Sequence, residues 1–156
     1  MCTGIALAVT ELPHDVVSDP RLANRLYDRD GRQEMRFLWW QSPPILPVQW
    51  NGQLQVLPWG NRRRPRGRLP ASGWISKEEI ELGVFAHVQA EDVVIPCQLA
   101  IHRGTWFLIL DGIRGIVAKD ARGSPVAYML TEPSSNYYRN MTEQEKMMPV
   151  LVDQVI

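Results

Sequence analysis

The stretch Pro47-Val48-Gln49-Trp50-Asn51-Gly52-Gln53-Leu54-Gln55-Val56-Leu57 carries the clearest fold signal in the chain. Two runs of strand-forming residues flank Asn51-Gly52, a pair that readily adopts the positive φ angles of a type I′ turn. The stretch therefore predicts an antiparallel β-hairpin. Because a hairpin of two strands is marginally stable alone, we expect it to belong to a larger antiparallel sheet.

Further strands are predicted on both sides of this hairpin. Ile5, Leu7 and Val9 alternate along one face, and other short runs are rich in β-branched or aromatic residues. These runs cover residues 93–95, 106–110, 113–117 and 126–130. Asp111-Gly112 separates two of them and predicts a second hairpin.

Three short helices are predicted from capping signals. One follows Asp19-Pro20, a cap with proline in the first turn. A second follows Ser76, where Ser76 and Glu79 form a capping box, and a third covers residues 134–140. The sequence thus predicts one α+β domain over residues 1–156, rich in antiparallel β-structure with a few short flanking helices.

Composition excludes several classes of protein. The 156 residues are 45% apolar and 22% charged, close to globular averages, and no apolar run approaches the roughly 20 residues of a membrane helix. No basic residue precedes the short apolar stretch after Met1, so we expect a cytoplasmic protein without a signal peptide. Its two cysteines and three histidines show no metal-ligand spacing, and we expect no metal or cofactor.

A local arginine cluster stands out although the whole chain has a net charge of zero. The arginines are Arg62, Arg63, Arg64, Arg66 and Arg68, and the tryptophans Trp39, Trp40, Trp59 and Trp74 lie on either side in sequence. Guanidinium groups neutralise phosphates, and exposed indole rings stack bases at ~1–3 kcal/mol each, so these residues are candidates for binding single-stranded DNA. Alternatively, the tryptophans form part of the core and the arginines are a solvated loop.

Cys2 is the candidate nucleophile. Removal of Met1 would leave a free amine and thiol on one residue at the terminus. An N-terminal amine titrates near pH ~8 and can attack an aldehyde to form a Schiff base, which the thiol then closes to a thiazolidine. The alternative is that Cys2 is a small apolar residue that starts a strand. Cys97, on an apolar run, is expected to be a buried core residue.

The chain contains, in this order, Met1-Cys2-Thr3-Gly4, Trp59-Gly60 and Met148-Pro149-Val150. Together with other short segments, these motifs resemble the SOS-response-associated peptidase family. That family has Met-Cys-Gly-Arg at its start, a Pro-Val strand before Trp-Gly, an Ile-Pro-Ala segment, a Thr-containing strand and a later His-x-Arg-Met-Pro-Val. The corresponding segments here are Met1-Cys2-Thr3-Gly4, Leu46-Pro47-Val48, Trp59-Gly60, Val94-Ile95-Pro96-Cys97, Tyr128-Met129-Leu130-Thr131 and Glu145-Lys146-Met147-Met148-Pro149-Val150. The resemblance implies a barrel-like fold, autoproteolytic removal of Met1, and covalent trapping of abasic sites in single-stranded DNA by Cys2.

The same resemblance implies roles for His102 and Glu145. Counting along the motifs, the family's catalytic glutamate falls on His102 and its catalytic histidine falls on Glu145. Both residue types transfer protons, so the exchanged pair is expected to serve Cys2. Alternatively, His102 is a surface residue that ends a strand, and Thr142-x-x-Glu145 is a capping box that starts a helix.

Other departures leave rival functions open. The family's Asn-Ala-Arg motif, which helps to hold the DNA, has no clear counterpart between Trp59 and Phe85. The chain also ends soon after Leu151, which leaves open that the family's C-terminal portion is absent. One rival is a diverged or phage-related protein that binds nucleic acid without catalysis; another is an interaction protein whose arginines contact an acidic partner. Enzyme activity and oligomeric state stay undecided at this stage.

Overall fold

The computed structural model describes residues 1–62 and 68–156, which form two β-sheets and a few short helices. The strands in chain order are β1 (Gly4–Ala8), β2 (Leu26–Arg29), β3 (Arg32–Leu38), β4 (Ile45–Trp50), β5 (Gln53–Pro58), β6 (Trp74–Ser76), β7 (Glu91–Ile95), β8 (Leu99–His102), β9 (Thr105–Leu108), β10 (Ile113–Lys119), β11 (Pro125–Pro133) and β12 (Met147–Pro149). The helices are α1 (His14–Val17), α2 (Lys77–Glu81) and α3 (Asn136–Met141). The α+β class is therefore confirmed.

The first sheet is antiparallel, in the order β2-β3-β1-β8-β9. Its central strand β1 carries the N-terminus of the chain, with Gly4 opposite both Leu38 and Ile101. The amide of Thr3 extends this pairing by donating a hydrogen bond of 2.8 Å to the Ile101 carbonyl. Met1 and Cys2 are thereby fixed beside the end of β8.

The second sheet has seven strands, in the order β12-β11-β10-β7-β4-β5, with β6 pairing in parallel with β11. In both sheets, the described path runs between two different end strands, so the barrel-like closure implied by the family resemblance is wrong for the described residues. Apolar residues of both sheets, such as Ile5, Phe37, Leu46, Ile95 and Met129, share one core cluster. This burial is the main force that holds the two sheets together.

The predicted hairpin at Asn51-Gly52 is confirmed, whereas the predicted hairpin at Asp111-Gly112 is wrong. Asn51 and Gly52 have φ angles of 53° and 73°, and Trp50 pairs with Gln53 in the β4–β5 hairpin. By contrast, β9 pairs with β8 across Arg103-Gly104, whose φ angles of 46° and 84° also suit a two-residue turn. Residues 109–112 instead carry the chain from the first sheet to the second, where β10 pairs with β7 and β11.

The helix predictions are confirmed in part. The Ser76 capping box with Glu79 begins α2, and α3 overlaps the third predicted region, with Ser135 as its cap. After Asp19-Pro20 the chain forms a 3-10 helix, Pro20–Arg25, although the Asp19 side chain does accept a hydrogen bond from the Arg21 amide as a cap. Capping thus predicted where these helices start, but not which type each would be.

Gly115 on β10 provides a stability test of this packing. A Cβ atom there would lie 2.6 Å from the Tyr128 carbonyl oxygen and 2.9 Å from Cδ1 of Ile95. Since the carbonyl belongs to the paired strand β11, the clash cannot be relieved by a rotamer change, and we expect Gly115→Ala to lower the free energy of unfolding by about 3 kcal/mol. Urea denaturation measures the change.

Gly31→Ala is the matched control because a Cβ at Gly31 meets nothing within 4 Å. Its φ angle of 79° should cost about 1 kcal/mol for alanine. Equal losses in the two variants would mean that the close approach at Gly115 does not exist.

Candidate functional site

The thiol of Cys2 points into the protein. Its side chain is fully buried in the main core, and Sγ donates a hydrogen bond of 3.1 Å to the Gly4 carbonyl. Burial raises the pKa of Cys2 to about 11, so the thiol is protonated at neutral pH. The backbone carbonyl of Cys2 accepts a hydrogen bond of 3.0 Å from Nε1 of Trp74. The interpretation of Cys2 as a small apolar residue at the start of a strand thus describes its side chain well.

Met1 is held by two side chains from distant parts of the sequence. Its ammonium group lies 2.7 Å from Oε2 of Glu145, and its carbonyl oxygen lies 2.5 Å from Nδ1 of His102. Because a carbonyl oxygen can only accept, Nδ1 of His102 must carry the hydrogen. Both ends of the Met1 residue are therefore fixed, and its peptide bond to Cys2 lies between an acidic group and a hydrogen-bond donor.

His102 is the last residue of β8 and is only 3% exposed. The alternative that it is a surface residue is therefore wrong. Its Nε2 atom is buried, has no hydrogen-bond partner among the described residues, and lies 3.7 Å from Oε2 of Glu145. The strand register places it here, because Gly4 pairs with Ile101 and the next residue along β8 reaches the terminus.

Glu145 reaches the terminus from a turn between α3 and β12. The preceding residues Glu143 and Gln144 have φ angles of 56° and 66°, a left-handed conformation that reverses the chain. The alternative capping box is wrong, because Thr142 ends α3 and donates its hydroxyl to the Tyr138 carbonyl. The hydrogen bond from the N-terminal ammonium lowers the pKa of the Glu145 carboxyl.

This ion pair predicts a pH-dependent contribution to stability. Glu145 is 22% exposed on its side chain, and its carboxyl pKa is lower in the folded chain than in the unfolded one. The carboxylate therefore stabilises the fold above the unfolded pKa of about 4.3, and this contribution disappears as the pH falls through the folded value. We expect Glu145→Gln to lower the free energy of unfolding by about 1 kcal/mol at pH 6 and by less at pH 3.

Thermal denaturation of both proteins at the two pH values checks this difference. Glu143→Gln is the control because Glu143 is exposed and pairs with Arg103 at 3.0 Å. A loss at pH 3 as large as that at pH 6 would show that the Glu145 carboxylate does not act through its charge.

Three of the predicted DNA-binding tryptophans pack together. The ring centroids of Trp39, Trp59 and Trp74 lie 4.8 to 5.3 Å apart. Trp59 is fully buried and donates Nε1 to the Gly73 carbonyl at 2.8 Å. Its prediction as a base-stacking residue is therefore wrong, and its role in the core is confirmed. Trp39 and Trp74 are half-buried, while Trp40 is 58% exposed.

The arginine cluster begins at the edge of these tryptophans. The exposed Arg62 guanidinium lies over the Trp39 ring at 5.6 Å from its centroid, and Arg68 is also exposed. Arg63, Arg64 and Arg66 lie outside the described residues. In the described part of the arginine cluster, the Arg62 cation therefore lies against the Trp39 ring. This pair is near the residues around Met1 and Cys2, which form the N-terminal site.

Sequence reasoning missed Tyr138. This residue of α3 is fully buried, and its ring lies 6.4 Å from the His102 ring between centroids. Within residues 1–62 and 68–156, its hydroxyl has no hydrogen-bond partner. No feature of the sequence distinguishes it from its exposed neighbour Tyr137. Tyr138 thus joins Cys2, His102 and Glu145 as a fourth residue at the N-terminal site.

Three further sequence predictions concern Cys97, metal ligands and membrane-spanning helices. Cys97 is buried and not part of a disulfide, as expected for a core residue. Residues 1–62 and 68–156 contain no group of three or more His, Cys, Asp or Glu side chains that could hold a metal ion. In the same ranges, no helix has the length and apolar character needed to cross a membrane.

Comparisons of the chain with models of protein families, with curated proteins and with solved structures found no match. The resemblance to the SOS-response-associated peptidases thus rests on the short motifs alone. What this protein does must be argued from the side chains around its N-terminus.

Proposed function

We propose that this protein captures abasic sites in single-stranded DNA through the amine and thiol of Cys2, after removal of Met1. The observation that carries the proposal is the convergence of His102 and Glu145 on the Met1-Cys2 unit. These two side chains come from β8 and from the turn before β12, which are far apart in the sequence. A cytoplasmic location and a single-stranded DNA partner belong to the same proposal.

Removal of Met1 would use the contacts that now hold it. The hydrogen bond from His102 Nδ1 polarises the Met1 carbonyl, and Glu145 fixes the amine. Addition of water to the carbonyl carbon, followed by cleavage of its bond to the Cys2 nitrogen, would release methionine and a new amine. That amine would form beside the two groups that held Met1.

The Cys2 amine would then act before the thiol. Because burial keeps the thiol protonated, the amine is the stronger nucleophile at neutral pH. Its nitrogen adds to the aldehyde carbon of the ring-opened sugar, and loss of water gives the imine. The thiol sulfur then attacks the imine carbon while its proton passes to the nitrogen, which closes the thiazolidine. Glu145 and His102 would move the protons in these steps.

A series of contacts connects the arginine cluster to this site. Arg62 lies over Trp39, Trp39 lies 4.8 Å from Trp74, and Trp74 donates to the Cys2 carbonyl. A DNA strand whose phosphates bind the arginines would thus pass beside half-buried indole rings before it reaches Cys2. This arrangement supports single-stranded DNA as the carrier of the aldehyde.

Intact mass spectrometry tests the proposal. The chain beginning at Cys2, released from a fusion protein by a site-specific protease, is incubated with a single-stranded oligonucleotide that carries one abasic site. We expect a heat-stable species with the summed mass of protein and oligonucleotide minus one water. The same chain with its N-terminal amine acetylated is the control, and absence of adduct from the chain with the free amine would reject the proposal.

A second candidate is a non-catalytic protein that binds nucleic acid. It is favoured by the stacking of exposed Arg62 on Trp39 and by the absence of an Asn-Ala-Arg counterpart between Trp59 and Phe85. Salt-sensitive binding of an undamaged single strand, without any adduct to the abasic oligonucleotide, would establish this candidate.

A further inference from the structure

The Tyr138 hydroxyl is a buried donor for which the resting structure provides no acceptor. The side chain is fully buried, and its oxygen is out of hydrogen-bond range of every acceptor among the described residues. A buried hydroxyl without a partner costs roughly 1–3 kcal/mol in stability, so such groups often indicate a functional requirement. Tyr138 therefore needs an explanation beyond packing.

The position of Tyr138 is well fixed. Its ring packs edge-on against Phe107 with the centroids 5.7 Å apart, and α3 is held by the Ser135 cap, which accepts a hydrogen bond from the Tyr138 amide. Its near neighbours are the groups of the N-terminal site. The His102 ring lies 6.4 Å away between centroids, and the negative charge of Glu145 acts on the phenol.

The bound Met1 shows where a substrate oxygen would lie. In the first adduct, the aldehyde carbon would be bonded to the Cys2 nitrogen, as the Met1 carbonyl carbon is now. The oxygen on that carbon would thus lie near the position of the Met1 oxygen, which accepts from His102 Nδ1. The aldehyde carbon becomes tetrahedral on addition, so its oxygen moves away from the plane of the present peptide bond and can meet a second donor.

We propose that Tyr138 is a catalytic residue whose hydroxyl donates a hydrogen bond to the aldehyde oxygen as the Cys2 amine adds to the carbon. This inference rests on the proposed function. In the step, the nitrogen–carbon bond forms, the π pair of the carbonyl moves to oxygen, and a proton passes from nitrogen to oxygen through Glu145 or His102. Tyr138 keeps its own proton and stabilises the negative charge that develops on oxygen.

The electrostatic environment suits a donor rather than an acid. Burial raises the pKa of the Tyr138 phenol well above its usual range, and Cys2 and Glu145 raise it further. The phenol therefore stays protonated near pH ~8, where the Cys2 amine becomes a free nucleophile. A donor that bonds to the tetrahedral adduct but not to the ground state accelerates the reaction, because it stabilises the adduct alone.

The test compares Tyr138→Phe with the unaltered sequence, both as chains that begin at Cys2. The rate of adduct formation with the abasic oligonucleotide is measured by gel, and binding is measured with an oligonucleotide that carries tetrahydrofuran, which has no aldehyde. We expect the rate to fall about 100-fold, as for loss of one oxyanion donor, with affinity for the tetrahydrofuran oligonucleotide unchanged. Phe107→Leu is the control, since it loosens the Tyr138 ring but keeps the hydroxyl.

Each outcome decides the inference. A Tyr138→Phe rate within threefold of the unaltered chain overturns it and leaves the proposed function intact, and so does an equal loss of rate and affinity. No adduct from the unaltered chain rejects the proposed function and the inference with it. If Tyr138→Phe does not fold, 3-fluorotyrosine at position 138 replaces it: a stronger donor should raise the rate several-fold, and an unchanged rate overturns the inference.

Discussion

Replacing Cys2 with alanine in the chain that begins at residue 2 is expected to abolish the heat-stable DNA adduct while leaving a reversible one. Alanine retains the terminal amine, which can still form an imine with the abasic aldehyde. Without the thiol, the imine cannot close to a thiazolidine and hydrolyses when the sample is heated. We expect at least a 100-fold loss of heat-stable product.

Two samples of each protein, with and without borohydride, measure this prediction. Borohydride reduces the imine to a stable amine, so Cys2→Ala should give a heat-stable adduct only in its presence. Cys97→Ala is the matched control, because Cys97 is the other buried thiol and is not near the terminus in sequence. Heat-stable adduct from Cys2→Ala without borohydride, or its loss from Cys97→Ala, would contradict the assigned roles.

The sequence predicted those parts of the fold that depend on neighbouring residues. Asn51-Gly52 forms the expected turn because the φ preferences that decide it belong to the two residues themselves. The Ser76 capping box is local in the same way. Asp111-Gly112 failed because pairing between strands is decided by distant partners, and β9 gains a neighbour in β8 through the equally suitable turn at Arg103-Gly104.

The sequence predicted part of the site, from the position of Cys2 and from short motifs. Cys2 was predicted from its position after Met1, and His102 and Glu145 from the family resemblance; the structure places the three together, and their catalytic roles are a prediction. No periodicity would have found them, because strand register and a left-handed turn bring them together. Tyr138 was missed because two adjacent tyrosines look alike in sequence while only one is buried.

The tryptophans show a second limit of sequence-based prediction, because one pattern fits two roles. Indole rings near arginines suit both base stacking and core packing, and only burial separates the two roles. Trp59 is fully enclosed, whereas Trp40 is largely exposed. Trp39, Trp59 and Trp74 therefore form a packed tryptophan cluster, whereas Trp40 lies at the surface. The stability of the tryptophan cluster should affect the Cys2 site, because Trp74 packs on Trp59 and donates a hydrogen bond to the Cys2 carbonyl.

Trp59→Ala is expected to lower the free energy of unfolding by about 3–5 kcal/mol, which is a large share of the stability of a typical domain. The substitution opens a cavity between Trp39 and Trp74, both of which now meet the Trp59 ring nearly edge-on at 5.2 and 5.3 Å. It also removes the Nε1 donor of the Gly73 carbonyl. Urea denaturation followed by circular dichroism measures the loss.

Trp59→Phe separates the two causes of that loss. Phenylalanine keeps an aromatic ring between Trp39 and Trp74 but cannot donate to the Gly73 carbonyl, so we expect a smaller loss of about 1–2 kcal/mol. Trp40→Ala, at the exposed edge, should change stability by less than about 0.5 kcal/mol. If Trp59→Ala lowered the free energy of unfolding no more than Trp40→Ala, packing on Trp59 would not be what positions Trp74 against the Cys2 carbonyl. The proposed series of contacts from Arg62 to the N-terminus would then have no structural basis.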